Sequence, residues 1–214
     1  MSGLWIQGFA EQRLGQLEAA ISHLKQALET AETSGNIFLR VMSANELGQC
    51  YLRQAQWQAA LDILESNYTF IVEHNFKRGP FPNAMLRNGL AAAYLIAAEQ
   101  SKPPERDAWL KKAGQACRLA LRWAKFLRPA KPEALRLQGR YVWLKANTAQ
   151  AQSWWAKSLA EAETLGMPYE LGLTHLEIGQ RLVDRAHLEQ AKSIFARLGA
   201  ERDLAWVTKL LEHL

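Results

Sequence analysis

The chain has 214 residues, 49% of them hydrophobic and 22% charged, a balance that supports a sizeable core and excludes a disordered chain. Its two cysteines, Cys50 and Cys117, are far apart, which excludes a disulfide framework or a thiolate metal site and suits a reducing compartment. The net charge of +5 is concentrated in residues 101–145, which hold 12 Lys/Arg against 3 Asp/Glu, so an anionic partner belongs there if anywhere.

The opening MSGLWIQGFAEQRLG lacks a basic stretch followed by an apolar core and does not read as a secretory signal. The longest strongly apolar run, Gly89 to Ala98, is about half of a bilayer span. A cytoplasmic protein with no membrane association is expected. Leu, Ala, Glu, Gln, Arg and Lys dominate and alternating β-branched runs are absent, so the expected fold class is all-α.

Glycine and proline divide the chain at Gly35-Asn36, Gly79-Pro80-Phe81-Pro82, Pro103-Pro104, Pro129 with Pro132, Gly166 with Pro168, and Gly199. These breaks predict helices at 2–13, 16–34, 36–53, 56–74, 82–100, 105–127, 132–145, 148–165, 168–184, 187–198 and 201–213. The first carries Leu4, Trp5, Ile6 and Phe9 on more than one face, which calls for a cover: a preceding repeat, a second copy in a homodimer, or packing within the domain. The second ends in LETAETSG, Leu28 to Gly35, and the eighth ends in LAEAETLG, Leu159 to Gly166. These octapeptides read as the last turns of equivalent helices.

The third and fourth helices contain the clearest pattern. Leu47 and Gly48 precede Tyr51, then Trp57, Ala60 and Leu64. Gly8, Leu17, Ala20 and Leu24 repeat that frame 40 residues earlier, and Gly179 again stands 12 residues before a small residue, Ala191. A small residue where two antiparallel helices cross lets their backbones approach. Leu90, Ala91 and Tyr94 open a third unit, and Leu137, Gln138 and Tyr141 a fourth, both without the glycine at that position of the frame.

This pattern resembles the tetratricopeptide (TPR) repeat. The resemblance implies a right-handed solenoid of about five helix-turn-helix hairpins in a single domain, 1–214, with units near 1–35, 36–79, 80–128, 129–166 and 167–199 and a capping helix at 200–214. The run AEAETLGMPYELGLTHLEIGQRL and the ending FARLGAERDLA are similar to the C-terminal TPR regions of bacterial STAND-type ATPases, nucleotide cyclases and maltose-regulator-like (LuxR-type) activators. That likeness implies a nonenzymatic interaction or sensing module of a larger signalling protein, its partner a protein, a peptide or another domain of the parent.

In such arrays the first helix of each hairpin lines the concave surface and meets the ligand. The implied positions are Met42, Asn45, Gln49 and Arg53, flanked by Trp5, Phe9, Arg13, Met85, Asn88, Trp143, Leu176 and Gln180; the partner-binding set is Asn45, Gln49, Arg53, Asn88, Trp143 and Gln180. Polar amides beside Arg can hold an extended peptide backbone. A small-molecule sensor with an aromatic pocket near Trp143 or Trp154 is the alternative, and a third reading rests on the basic segment. There Lys111, Arg118, Arg122 and Lys125, spaced 7, 4 and 3 apart, form one helical stripe for an acidic partner, nucleic acid being the less favoured occupant. No catalytic motif, metal site or cofactor site is expected: the histidines are not at H-x-x-x-H spacing, no Ser lies in G-x-S-x-G, and Glu170 and Glu177 read as solvated. Of the tryptophans, Trp57, Trp109, Trp123, Trp143 and Trp206 are expected in the core, and one of Trp154 and Trp155 at a groove.

Overall fold

A computed structural model describes residues 3–76 and 79–214. Among them are eleven α-helices, one 3-10 turn and no strand. The chain forms two compact units, residues 1–127 and 128–214.

The first unit holds three hairpins: α1 (Gly3–Leu14) with α2 (Leu17–Ser34), α3 (Ile37–Arg53) with α4 (Trp57–Glu73), and α5 (Pro80–Gln100) with α6 (Glu105–Trp123). The second holds the 3-10 turn Arg128–Ala130, then α7 (Lys131–Leu144) with α8 (Thr148–Thr164), α9 (Pro168–Leu182) with α10 (Arg185–Leu198), and α11 (Glu201–Glu212). Within each unit the first helix of a hairpin also packs on the first helix of the next, α1 on α3, α3 on α5 and α7 on α9. The helix boundaries follow the glycine and proline breaks to within a few residues. The largest difference is α6, which ends at Trp123 rather than 127, so that Lys125 lies in the turn after it.

Small residues set the crossings. A Cβ on Gly8 would stand 2.7 Å from Leu24 Cγ, and one on Gly48 2.7 Å from Leu64 Cγ. The same arrangement in the fourth hairpin uses Gly139, whose Cβ would meet Trp155 Nε1 at 2.4 Å. The frame expected there, with Gln138 in the glycine position, is therefore displaced by one residue. Gly139 stands 12 residues before Ala151 and 16 before Trp155, as Gly48 does before Ala60 and Leu64.

The turns α1–α2, α2–α3, α3–α4, α4–α5, α7–α8, α8–α9, α9–α10 and α10–α11 each contain a residue in the left-handed region. Gly15, Gly35, Gly166 and Gly199 occupy it without a Cβ penalty, but Ala55, Asn75, Ala146 and Val183 also adopt it, with φ of 50° to 60°. Side-chain caps are few: Asn36 accepts from Leu39 N–H, Asn147 from Gln150 N–H and Asp184 from His187 N–H.

Trp155 is fully buried, whereas Trp154 is half-buried beneath Lys157, whose Nζ lies 4.6 Å from the ring centroid. Trp57, Trp109, Trp123 and Trp143 are also half-buried. Trp206, expected in the core, is 47% exposed. Its helix instead presents Val207 and Leu211 to α9 and α10, with Leu204 and Leu210 at the margin.

Candidate interaction surfaces

In the first unit the polar positions of α3 and α5 divide into two groups. Asn45 and Asn88 are buried. Asn45 Nδ2 donates to Pro82 O at 3.2 Å, and Asn45 Oδ1 accepts from Asn67 Nδ2 at 3.0 Å. Asn67 Nδ2 also donates to Val41 O, and its Oδ1 accepts from Arg40, so the amide row ties α3, α4 and the start of α5 together. A ligand cannot reach these side chains, and Met42 is buried with them. Close stacking of α5 on α3 is the reason: it seals the inner face of α3 at Asn45.

Gln49 and Arg53, one and two turns further on, are half-buried. Arg53 donates to Gln12 O across to α1, where the Arg13 guanidinium lies 5.1 Å from the Phe9 ring centroid and Phe9 stacks on Trp5 at 5.8 Å. Both arginines lie near Cys50. That thiol is pushed up to about 12 by burial and by Glu46, against the opposing effects of Gln12, Arg53 and Arg13. It is a packing residue, held as the thiol. On α1 itself Ile6 and Leu14 are exposed, while Leu4, Trp5 and Phe9 are half-buried.

In the second unit Trp143 is half-buried, with the Arg181 guanidinium 4.8 Å from its ring centroid, and Gln180 is exposed. Leu176 is buried. Glu170 and Glu177, expected to be solvated, are buried instead. Arg136 pairs with Glu170 at 3.8 Å, and Glu177 meets Arg140 at 3.8 Å and Arg181 at 3.0 Å. Burial opposes ionisation of Glu177, but Arg140, Arg181 and Arg136 outweigh it and hold the carboxyl below its usual range. Opposite charges on α7 and α9 could not be matched from helical periodicity alone, since that gives a face and not its neighbour.

The basic stripe expected along the sixth helix divides at the end of α6. Lys111, Arg118 and Arg122 are exposed along α6, and Lys125 is exposed in the turn beyond. Their neighbour Lys112 is engaged: its Nζ pairs with Glu65 at 3.4 Å and lies 4.7 Å from the Trp109 ring centroid and 5.3 Å from that of Tyr94. Trp57, Trp109, Lys102, Glu105 and Lys112 line a cleft of about 780 Å³ at this end of the hairpin. Burial and the hydrogen bond to Glu65 push the Tyr94 hydroxyl upward.

Among the described residues no group of three or more His, Cys, Asp or Glu could hold a metal ion. No described helix is long and apolar enough to cross a membrane. His175 and His187 do meet, Nδ1 to Nδ1 at 2.8 Å, as a hydrogen-bonded pair.

Comparisons with known proteins agree with this architecture. Residues 3–68 match the tetratricopeptide repeat family. Among solved structures, the nearly identical TPR-like repeats of a kinesin light chain candidate from Podosopora anserina superpose with a TM-score of 0.53 at 18% identity, covering 91% of this chain and 94% of that one. A single-residue variant of the same repeats gives 0.54 at the same identity and coverage. No curated protein sequence matches the chain. Helical repeats of this type generally serve as non-catalytic scaffolds that bind proteins or peptides. The match over residues 3–68 and the shared architecture give the chain a TPR-like helical-repeat fold.

Proposed function

We propose that the chain is a nonenzymatic scaffold that holds an extended peptide segment of a protein partner on the first helices of its hairpins. The observation that carries this reading is the cluster on α1 and α3, where Arg13, Arg53, Gln49 and Phe9 are each partly open to solvent. Two guanidiniums and an amide supply donors for backbone carbonyl or carboxylate oxygens, and the Phe9 ring supplies an apolar contact. Trp143, Arg181 and Gln180 offer a similar set on α7 and α9 in the second unit.

A peptide-display selection on the intact chain tests it. Enriched peptides should lose binding to Arg13→Glu and Arg53→Glu chains whose melting is unchanged, while Arg118→Glu leaves them bound. Enriched peptides indifferent to both substitutions would overturn the α1–α3 site.

The C-terminal resemblance extends the reading to a cytoplasmic sensor arm of a bacterial signalling protein. ATPase or cyclase motifs in the same open reading frame are the expected finding, and a reading frame without any effector domain would count against it.

A further inference from the structure

We infer that the outer face of α6 is a docking surface for an acidic amphipathic helix. Lys111, Arg118, Arg122 and Lys125 are all exposed, and none has an ion-pair partner among the described residues. Lys111, Arg118 and Lys125 stand seven residues apart, and so do Lys112, Leu119 and Phe126 beside them. On a helix, seven residues are two turns, about 10.5 Å along the axis with only about 20° of drift. The result is a row of cations with a second row next to it, which Lys112 opens and which is apolar at Leu119 and Phe126.

The turn after α6 keeps the row going. Phe126 N–H and Leu127 N–H both donate to Trp123 O, and Ala124 N–H donates to Ala120 O. Phe126 is 69% exposed and packs edge-on against Trp123 at 6.1 Å. Leu119 is half-buried.

The two rows select the partner. A phosphate backbone would satisfy the cations and leave Phe126 in water. A helix with a carboxylate at every seventh position and an apolar residue beside it answers both rows at once, in the manner of a paired coiled coil. The contact is electrostatic and exposed, so it is salt-sensitive.

The intact chain is tested against a labelled helical peptide of about three heptads with Glu on one heptad position and Leu on the next. A scrambled peptide of identical composition, a single-stranded RNA and a duplex DNA serve as the other probes. At ~50 mM salt the ordered peptide is expected to bind at least about tenfold tighter than the scrambled one, a gap of about 1.4 kcal/mol. Arg118→Glu with Lys125→Glu should erase that advantage, Arg118→Lys should keep it, and Phe126→Ser should reduce it. The inference is overturned if the scrambled peptide or either nucleic acid binds as tightly, if charge reversal has no effect, or if the ordered peptide fails to bind at ~100 μM, a weak-affinity ceiling. These side chains are exposed, so the variants should melt as the parent does; if the double reversal unfolds the chain, Arg118→Gln with Lys125→Gln takes its place. Arg53→Glu should leave this binding intact, which separates it from the α1–α3 site.

Discussion

Gly139 and Trp155 share one helix crossing so closely that the indole takes the space of a side chain: a Cβ on Gly139 would stand 2.4 Å from Nε1 and 2.5 Å from Cδ1. Trp155 Nε1 also donates to Arg136 O at 3.2 Å, so the ring is held from two directions. Gly139→Ala should therefore cost about 3 kcal/mol, the upper part of the range for overpacking a filled core. Urea denaturation measures it. Combining Gly139→Ala with Trp155→Leu should cost less than the two changes separately, since the smaller side chain relieves the clash; additive costs would mean that the two positions do not share the crossing.

That crossing also shows how far the sequence could be read. Leu137-Gln138 with Tyr141 imitates the Leu-Gly-x-x-Tyr signature, and only the packing reveals that Gly139 is the crossing residue. Helix boundaries were legible because Gly and Pro act locally on the backbone. The stripe on α6 was legible too, because exposure follows helical period. The inner face was less so: Asn45 lies on the expected side of α3, yet the approach of α5 at Pro82 buries it, and that distance depends on residues in a different hairpin. The partnership of Glu177 with Arg140 and Arg181 was hidden for the same reason.

Asn45 and Asn67 should act as structural residues. Removing the Asn45 amide leaves Pro82 O without its donor and Asn67 Nδ2 without one acceptor. Asn45→Ala is expected to destabilise the chain by about 1–3 kcal/mol, the usual cost of orphaning buried polar groups. Peptide affinity per folded molecule should stay unchanged, as read by calorimetry below the melting transition. A loss of affinity in a fully folded Asn45→Ala chain would instead make this amide a ligand contact.

The His175–His187 pair should make stability depend on pH. One ring donates and the other accepts across 2.8 Å, so two imidazolium rings would bring two N–H groups together. Burial, and then His187, lower the His175 pKa from its ordinary 6.5. The native state thus resists the proton that the unfolded chain accepts. Stability is full above the unfolded value near 6.5 and falls as the pH drops toward the lowered native value. Asp184 accepts the His187 backbone N–H through its carboxylate and so fixes the start of α10 beside the pair. Urea midpoints at pH 5 and pH 7 should differ in the parent and differ less in His175→Gln. An equal drop in both would remove this pair as the cause.

Val183 should be the easiest place to gain stability. It closes α9 with φ 55° and ψ 42°, and its N–H donates to Gly179 O, so the left-handed conformation is fixed by the cap. A β-branched side chain is strained there, at a cost of roughly 1–2 kcal/mol, whereas glycine adopts it freely. The side chain is 70% exposed, so little packing is lost on removing it. Against the gain stands the greater entropy of glycine in the unfolded chain, about 0.5–1 kcal/mol. Val183→Gly is therefore expected to raise stability by about 0.5–1 kcal/mol, the excess of αL strain over that entropy. Val183→Asn should give a smaller gain, since Asn tolerates αL better than Val does. Thermal melts of the three chains give the order Gly above Asn above Val; Val melting highest would show that its exposed side chain makes a contact worth more than the backbone strain.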